Sequence, residues 1–191
     1  MRYVELSNWA PAGLVNAALA EWPAEDWRHW HFYDDQTAKK RATKDASRLP
    51  RAATMLLERM AELDLRYHGF DADCFPDLEL HGAGMHELPT GGFLRKHLDS
   101  TAHPQTRWNR SVNGVLFLNE PEQGGDLTFH LPFEEIVIHP ESGKLVLFET
   151  ADEAWHSVST VAGSISRKTL SLFWWTLGTP DERRMKAEFV E

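Results

Sequence analysis

Three side chains of this sequence have the types and spacing to hold a metal ion: His97, Asp99 two residues on, and His156 far downstream. Two imidazoles and one carboxylate suit a non-haem Fe(II) centre that keeps coordination positions open. Arg167 follows His156 by eleven residues. Its planar, permanently charged fork suits the far carboxylate of an organic acid bound beside that iron.

The His-x-acid pair means little alone. With 10 His and 29 Asp+Glu in 191 residues, chance supplies about 1.5 such pairs. Two occur, His97-Leu98-Asp99 and His139-Pro140-Glu141. The first lies in an apolar stretch that reads as a strand, where residues i and i+2 project from one face. The second sits at a turn, because Pro140 breaks the ladder and Ser142-Gly143 follows; it reads as an exposed loop. For the remaining ligand His156 is the best placed, since it opens an apolar strand ahead of Val158 and Val161. His130 and His139 are rivals, each close to a proline at a strand end. If Ala162-Gly163 closes a hairpin, His156 faces Thr169 and Val158 faces Arg167. Arg167 and Thr169 then share the face of His156, and a one-residue slip would turn both away.

These residues need a scaffold, and the second half of the chain supplies one. Short apolar runs alternate with turn signals: Leu78–Leu88, Phe93–Ser100, Val112–Asn119, Asp126–His130, Ile136–His139, Lys144–Glu149, Trp155–Val161 and Thr169–Leu177. Such strands at this spacing predict a jelly roll or related barrel. The first third reads helical, with Pro11 ahead of Leu14/Val15, Ala18/Leu19 and Trp22, and a second stripe from Pro50 to Leu63. Trp27–Tyr33 is aromatic and reads as a strand. Asp34–Asp45 is polar without apolar anchors and reads as a flexible loop, a lid in function. The expected fold class is α+β: a double-stranded β-helix (jelly-roll) core of about eight strands, buttressed by N-terminal helices. A single domain is expected, with a helical support region at 1–76, the catalytic core at 77–178 and a charged, peripheral tail at 179–191.

Charge and composition narrow the partners. A net charge of −9 argues against nucleic acid, whose phosphates demand a basic footprint. One local exception is the crowd of Lys39, Lys40, Arg41, Lys44, Arg48 and Arg51. Such a run is ordinarily a solvated face; the sharper reading is a flap that attracts an anionic substrate. The aromatics Trp22, Trp27, Trp30, Phe32 and Tyr33 read as core or cap, or as the wall of a substrate groove. A lone Cys74 allows no intrachain disulfide. With no signal peptide or membrane-spanning run evident, a cytoplasmic setting is expected.

The order of motifs is distinctive. Gly91-Gly92-Phe93-Leu94-x-x-His97-x-Asp99, Val115-Leu116-Phe117-Leu118-Asn119, Gly124-Gly125-Asp126-Leu127, Gly143–Phe148, His156-x-Val158 and Arg167-x-Thr169 follow in sequence. This series resembles the 2-oxoglutarate/Fe(II)-dependent dioxygenases, with the prolyl-4-hydroxylase-like branch nearest in texture, over roughly Leu78 to Trp175. The resemblance implies Fe(II) held by His97, Asp99 and His156, with 2-oxoglutarate and O₂ as co-substrates. It implies Arg167 on the far carboxylate of 2-oxoglutarate with Thr169 assisting, and Phe117 and Asn119 on the strand that lines the pocket. Two positions depart from the branch: Leu88 stands where a tyrosine is frequent, and Arg167 where many prolyl hydroxylases have lysine. The implied activity is hydroxylation of an unactivated C–H bond in a prolyl, amino-acid-like or other small or peptidyl substrate, with release of succinate and CO₂. The alternatives are a cupin-type metal enzyme, disfavoured because no histidine cluster follows His97, and a non-catalytic jelly-roll binding module.

Overall fold

The computed structural model describes residues 1–71 and 73–190. Along the chain run β1 (Tyr3–Leu6), α1 (Ala12–Ala20), β2 (Trp30–Asp34), β3 (Ala38–Thr43), α2 (Arg51–Ala61) and β4 (Phe75–Pro76). The second half adds β5 (Gly84–Leu88), β6 (Phe93–Leu98), β7 (Asn109–Phe117), β8 (Leu127–His130), β9 (Glu135–Ile138), β10 (Leu145–Glu149), β11 (His156–Val158) and β12 (Arg167–Thr176). A short β13 (Glu188–Phe189) closes the list. The eight strands β5 to β12 coincide in number and place with the eight apolar runs of the sequence.

The strands form one curled sheet, ordered β1-β10-β7-β12-β5-β3-β6-β11-β8-β9. It folds into two walls, β1-β10-β7-β12-β5 and β6-β11-β8-β9, with β3 joining them. Alternation along each strand divides the side chains between two cores. On β10, Leu145 and Leu147 face the helices while Val146 and Phe148 face the barrel interior. On β12, Leu170, Leu172 and Trp174 join the helix-side core, which leaves Arg167, Thr169, Ser171, Phe173 and Trp175 turned inward. That second set is the one the site needs.

Helices α1 and α2 buttress the outer face of the first wall. Each begins after a proline, which forgoes a backbone donor no helix start could use. Glu21, just past α1, accepts from Ala52 N at 2.8 Å and so caps α2 across the helix pair. Leu56 and Met60 of α2 are fully buried against β7 and β12, each adding about 1.5–3 kcal/mol of apolar burial. Gly114 permits this close approach: a Cβ there would lie 2.7 Å from the Trp174 ring and 3.1 Å from the Met60 methyl.

Three expectations are corrected. Residues 38–43 are not a loop: β3 pairs with β5 through Arg41↔Glu87 and Ala42↔His86, and with β6 through Ala38↔Leu94 and Lys39↔Phe93. Polarity misled there because the small Ala38 and Ala42 hide between long basic side chains, and buried Arg41 meets buried Glu87 at 3.0 Å. Nor does Ala162-Gly163 close a hairpin. Strand β11 pairs with β6 and β8, while β12 pairs with β4, β5 and β7. In a jelly roll these two consecutive strands lie in opposite walls, so the chain crosses the barrel between them. Finally, the tail is not peripheral: β13 pairs with β6 at Leu98 and His97, and the buried Arg184 bonds to the Asp99 carbonyl at 3.1 Å and to Asp152.

Candidate metal centre

The two walls enclose a cavity of about 620 Å³. His97 is near the end of β6, and Asp99 lies just past that strand rather than inside it. His156 opens β11 directly opposite His97 in the register. The three residues offer donor atoms that all lie within 4.8 Å of one another. His97 Nε2 is 3.7 Å and His156 Nε2 3.8 Å from the Asp99 carboxylate.

The backbone sets the chemistry of both rings. His97 Nδ1 lies 2.8 Å from the Arg95 carbonyl, and His156 Nδ1 lies 2.9 Å from the Ala154 carbonyl. A carbonyl only accepts, so each Nδ1 carries the proton and donates. Each Nε2 is left as a bare lone pair turned toward Asp99, the arrangement a metal-binding imidazole requires. Burial, helped by His156, holds the His97 imidazole neutral, with its pKa pushed down to about 3. Burial lowers His156 likewise. Burial also opposes the charged form of Asp99, but Arg110 foremost, then His156 and His97, keep it well below the usual carboxylate range. The set is therefore two neutral nitrogens and one anion, which fits a divalent cation with open positions.

Arg167 enters from the opposite wall, not from a neighbouring hairpin strand. It pairs with Leu88 in the register, and Thr169 pairs with Phe117 and His86. Both Arg167 and Thr169 line the cavity. The Arg167 guanidinium lies 4.8 Å from the centre of the Phe117 ring, and its Nε is buried without a hydrogen-bond partner among the described residues. Burial pulls its pKa down to about 10, with Asp126 acting the other way. Gly125 makes room for it, since a Cβ there would sit 3.0 Å from Arg167 Cδ. A buried fork with an unmet donor suits an incoming carboxylate. Phe117 supports this arginine from below the cavity surface. Asn119 spends its amide elsewhere: it donates to the Ser166 carbonyl at 2.7 Å and accepts from Lys168 N at 2.8 Å, clamping β12 to β7.

The rival histidines are occupied elsewhere. His130 bonds Glu135 at 2.7 Å and Ser157 at 2.8 Å, and exposed His139 bonds Asp126 at 2.7 Å. Four features went unread in the sequence. Arg110 reaches Asp99 at 3.4 Å and donates to Asn113 at 2.6 Å. Simple alternation puts Arg110 on the opposite face from Asn113, but a bulge in the β7–β12 register, between Trp174↔Val112 and Trp175↔Arg110, restores it to the cavity side. Lys40, which the sequence offered only as one of a basic crowd, lines the cavity from β3. Phe189 of the tail stacks on the His97 ring, centroids 5.1 Å apart. The fourth is a second cluster, Asp77, His81 and His103, which no short spacing announces.

Residues 83–175 match the sequence model of the 2OG-Fe(II) oxygenase superfamily. No curated protein sequence matches the chain. Among solved structures, a Pseudomonas putida prolyl-4-hydroxylase is similar with a TM-score of 0.66 at 24% identity, over 92% of this chain and 93% of that one. A viral collagen prolyl hydroxylase from Paramecium Bursaria Chlorella virus-1, solved with 2OG, gives 0.66 at 11% identity, over 93% and 97%. A Trichoplax adhaerens prolyl hydroxylase in complex with a hypoxia inducible factor peptide fragment gives 0.67 at 14% identity, over 91% and 83%. At these identities the likeness is one of fold.

Proposed function

We propose that the chain, whose residues 83–175 match the 2OG-Fe(II) oxygenase model and whose fold is prolyl-4-hydroxylase-like, is a 2-oxoglutarate-dependent hydroxylase with iron held by His97, Asp99 and His156. One observation carries the reading: both histidines donate Nδ1–H to a carbonyl and turn Nε2 toward Asp99, inside a cavity that also holds Arg167. Bound Fe(II), with 2-oxoglutarate and O₂, supplies the oxidising chemistry that hydroxylates a C–H bond and releases succinate and CO₂.

The protein's own contribution is placement. His97, Asp99 and His156 present three donors from one side and leave the cavity side open. Arg167 takes the far carboxylate of 2-oxoglutarate, with the Thr169 hydroxyl beside it, and so sets how deep the co-substrate lies. Phe117 backs that arginine and Asn119 fixes the strand that carries it, positioning roles both. Leu94, Val115, Leu127, Phe148 and Val158 wall part of the chamber with hydrocarbon, which limits water at the reacting centre. The substrate on this reading is a prolyl, amino-acid-like or other small body, and the peptide fragment in complex with the similarly folded Trichoplax protein supports a peptidyl one.

The test is anaerobic. Fe(II) and then 2-oxoglutarate are added to the purified protein while the visible spectrum is followed. A charge-transfer band that needs both additions, and disappears in His156→Ala, is the expected result. Absence of a band in folded wild-type protein would overturn the assignment and favour a binding role.

A further inference from the structure

The basic crowd on β3 is not a uniform solvated face. Strand alternation sends Arg41 outward to Glu87 while Ala38 and Lys40 line the cavity. The Lys40 ammonium lies 5.1 Å from the centre of the Tyr33 ring, and among the described residues it has no hydrogen bond or ion pair. Burial pulls its pKa down to about 8, with Asp99 favouring the charge and Arg167 and Arg110 opposing it. The nearby carboxylate at the turn is no partner. Asp35 is taken up by Thr37 N at 2.7 Å, Thr37 Oγ1 at 2.6 Å and Ala38 N at 3.1 Å.

Charge balance around the reacting centre then becomes specific. The divalent iron and the two carboxylates of 2-oxoglutarate cancel. Asp99 offsets one of the three interior cations Lys40, Arg110 and Arg167, and the exposed Lys186 and Asp35, which also border the chamber, cancel each other, so two positive charges remain. Arg110 is already committed: it lies against Asp99 and Asn113 and packs with its guanidinium carbon 3.5 Å from the centre of the Phe173 ring. Arg167 belongs to the co-substrate. Lys40 is the one cation of the three without a use, and a single ammonium matches a single negative charge.

We propose that Lys40 is the receptor for a carboxylate on the substrate, so that this enzyme acts on a molecule with a free carboxyl group and an apolar body. The body lies between the Tyr33, Phe173, Trp175 and Phe189 rings that wall the cavity. The carboxyl can belong to a free small acid or to the C-terminal residue of a peptide; an internal residue of a long chain lacks it. This inference rests on the 2-oxoglutarate reading of Arg167 and extends it to substrate class.

The probes are matched pairs that differ only in charge: benzoate and benzamide, N-acetyl-L-proline and its amide, and a short peptide ending in proline as free acid and as amide. Binding is followed by calorimetry on protein loaded with Ni(II) and N-oxalylglycine, an unreactive analogue of 2-oxoglutarate. The expected result is a preference of about tenfold or more for the acid in at least one pair. That preference should be lost in Lys40→Met and regained in part in Lys40→Arg, with N-oxalylglycine affinity unchanged in both. The pair that discriminates tells a free acid from a peptide C-terminus. Equal binding of acid and amide, no binding by any pair, tighter binding of phenyl phosphate than of benzoate, or an acid preference intact in Lys40→Met would each overturn the proposal. A weakened N-oxalylglycine affinity in Lys40→Met would move Lys40 to the co-substrate and overturn it too. Failure of the wild type to take up N-oxalylglycine at all would instead remove the reading of Arg167 beneath it.

Discussion

His97, Asp99 and His156 have a counterpart in Asp77, His81 and His103: the same side chains, donor atoms within the same 4.8 Å, and His81 bordering the same cavity. The first set leaves bare nitrogens facing its carboxylate, because backbone carbonyls hold the Nδ1 protons. In the second, His103 Nδ1 accepts from Gln105 N at 3.2 Å and Thr106 N at 3.1 Å. Its proton must then sit on Nε2, which points at Asp77 from 3.5 Å. Asp77 in turn accepts from Glu79 N and His81 N, both at 2.9 Å. His103 is thus spent on the backbone between Trp108 and Trp175, its Nε2 facing Asp77 without a hydrogen bond among the described residues, and no lone pair of it is free for a metal. Residue type does not decide metal binding; the tautomer imposed by the backbone does.

The contrast predicts, first and largest, that His97→Ala or Asp99→Ala abolishes metal uptake at stoichiometric Ni(II), while His103→Ala leaves one ion per chain. A calorimetric titration that finds two ions in the wild type, or one lost in His103→Ala, would break the comparison. Next in size, Arg167→Ala should keep the metal and weaken 2-oxoglutarate by about 10- to 100-fold, the worth of a charge-assisted pair. Spectral titration of the Fe(II)-loaded variant measures this, and an unchanged affinity removes Arg167 from the site. His103→Ala should instead cost about 1–3 kcal/mol of folding stability in urea, because the backbone donors of Gln105 and Thr106 lose their acceptor.

The smallest effect is in pH. Burial foremost, then His81, keeps the His103 pKa below its ordinary value despite Asp77. The unfolded chain therefore binds the proton first on acidification, and stability from this residue, present above the ordinary histidine value of about 6.5, falls as pH drops below it. His103→Gln should flatten the decline between pH 7 and 5.5 by about 1 kcal/mol or less. A steeper decline in that variant would reverse the sign.

Much of this was legible in the chain. Eight apolar runs separated by Gly and Pro turns specify eight strands, since turn chemistry and alternation are local properties. The His97-x-Asp99 spacing puts two candidate ligands at one strand end for the same local reason, and Pro11 and Pro50 start two helices. Pairing was not legible. Ala162-Gly163 looks like a hairpin turn, yet β11 and β12 part company there, because a partner is chosen by the competition of all strands and not by the nearest turn. Arg167 still reaches the cavity, by another route than the register implied.

Sequence by itself determined where the eight strands of the second half lie, and that two imidazoles, a carboxylate and an arginine were available. Tertiary structure decided which of ten histidines meet, which nitrogen of each carries the proton, and that Lys40, Arg110 and Phe189 belong to the same chamber. The reason is one of range. Alternation and turns are written in neighbouring residues, whereas a tautomer is set by whichever carbonyl or amide the fold brings to a ring. A charge balance is set by everything that closes around it.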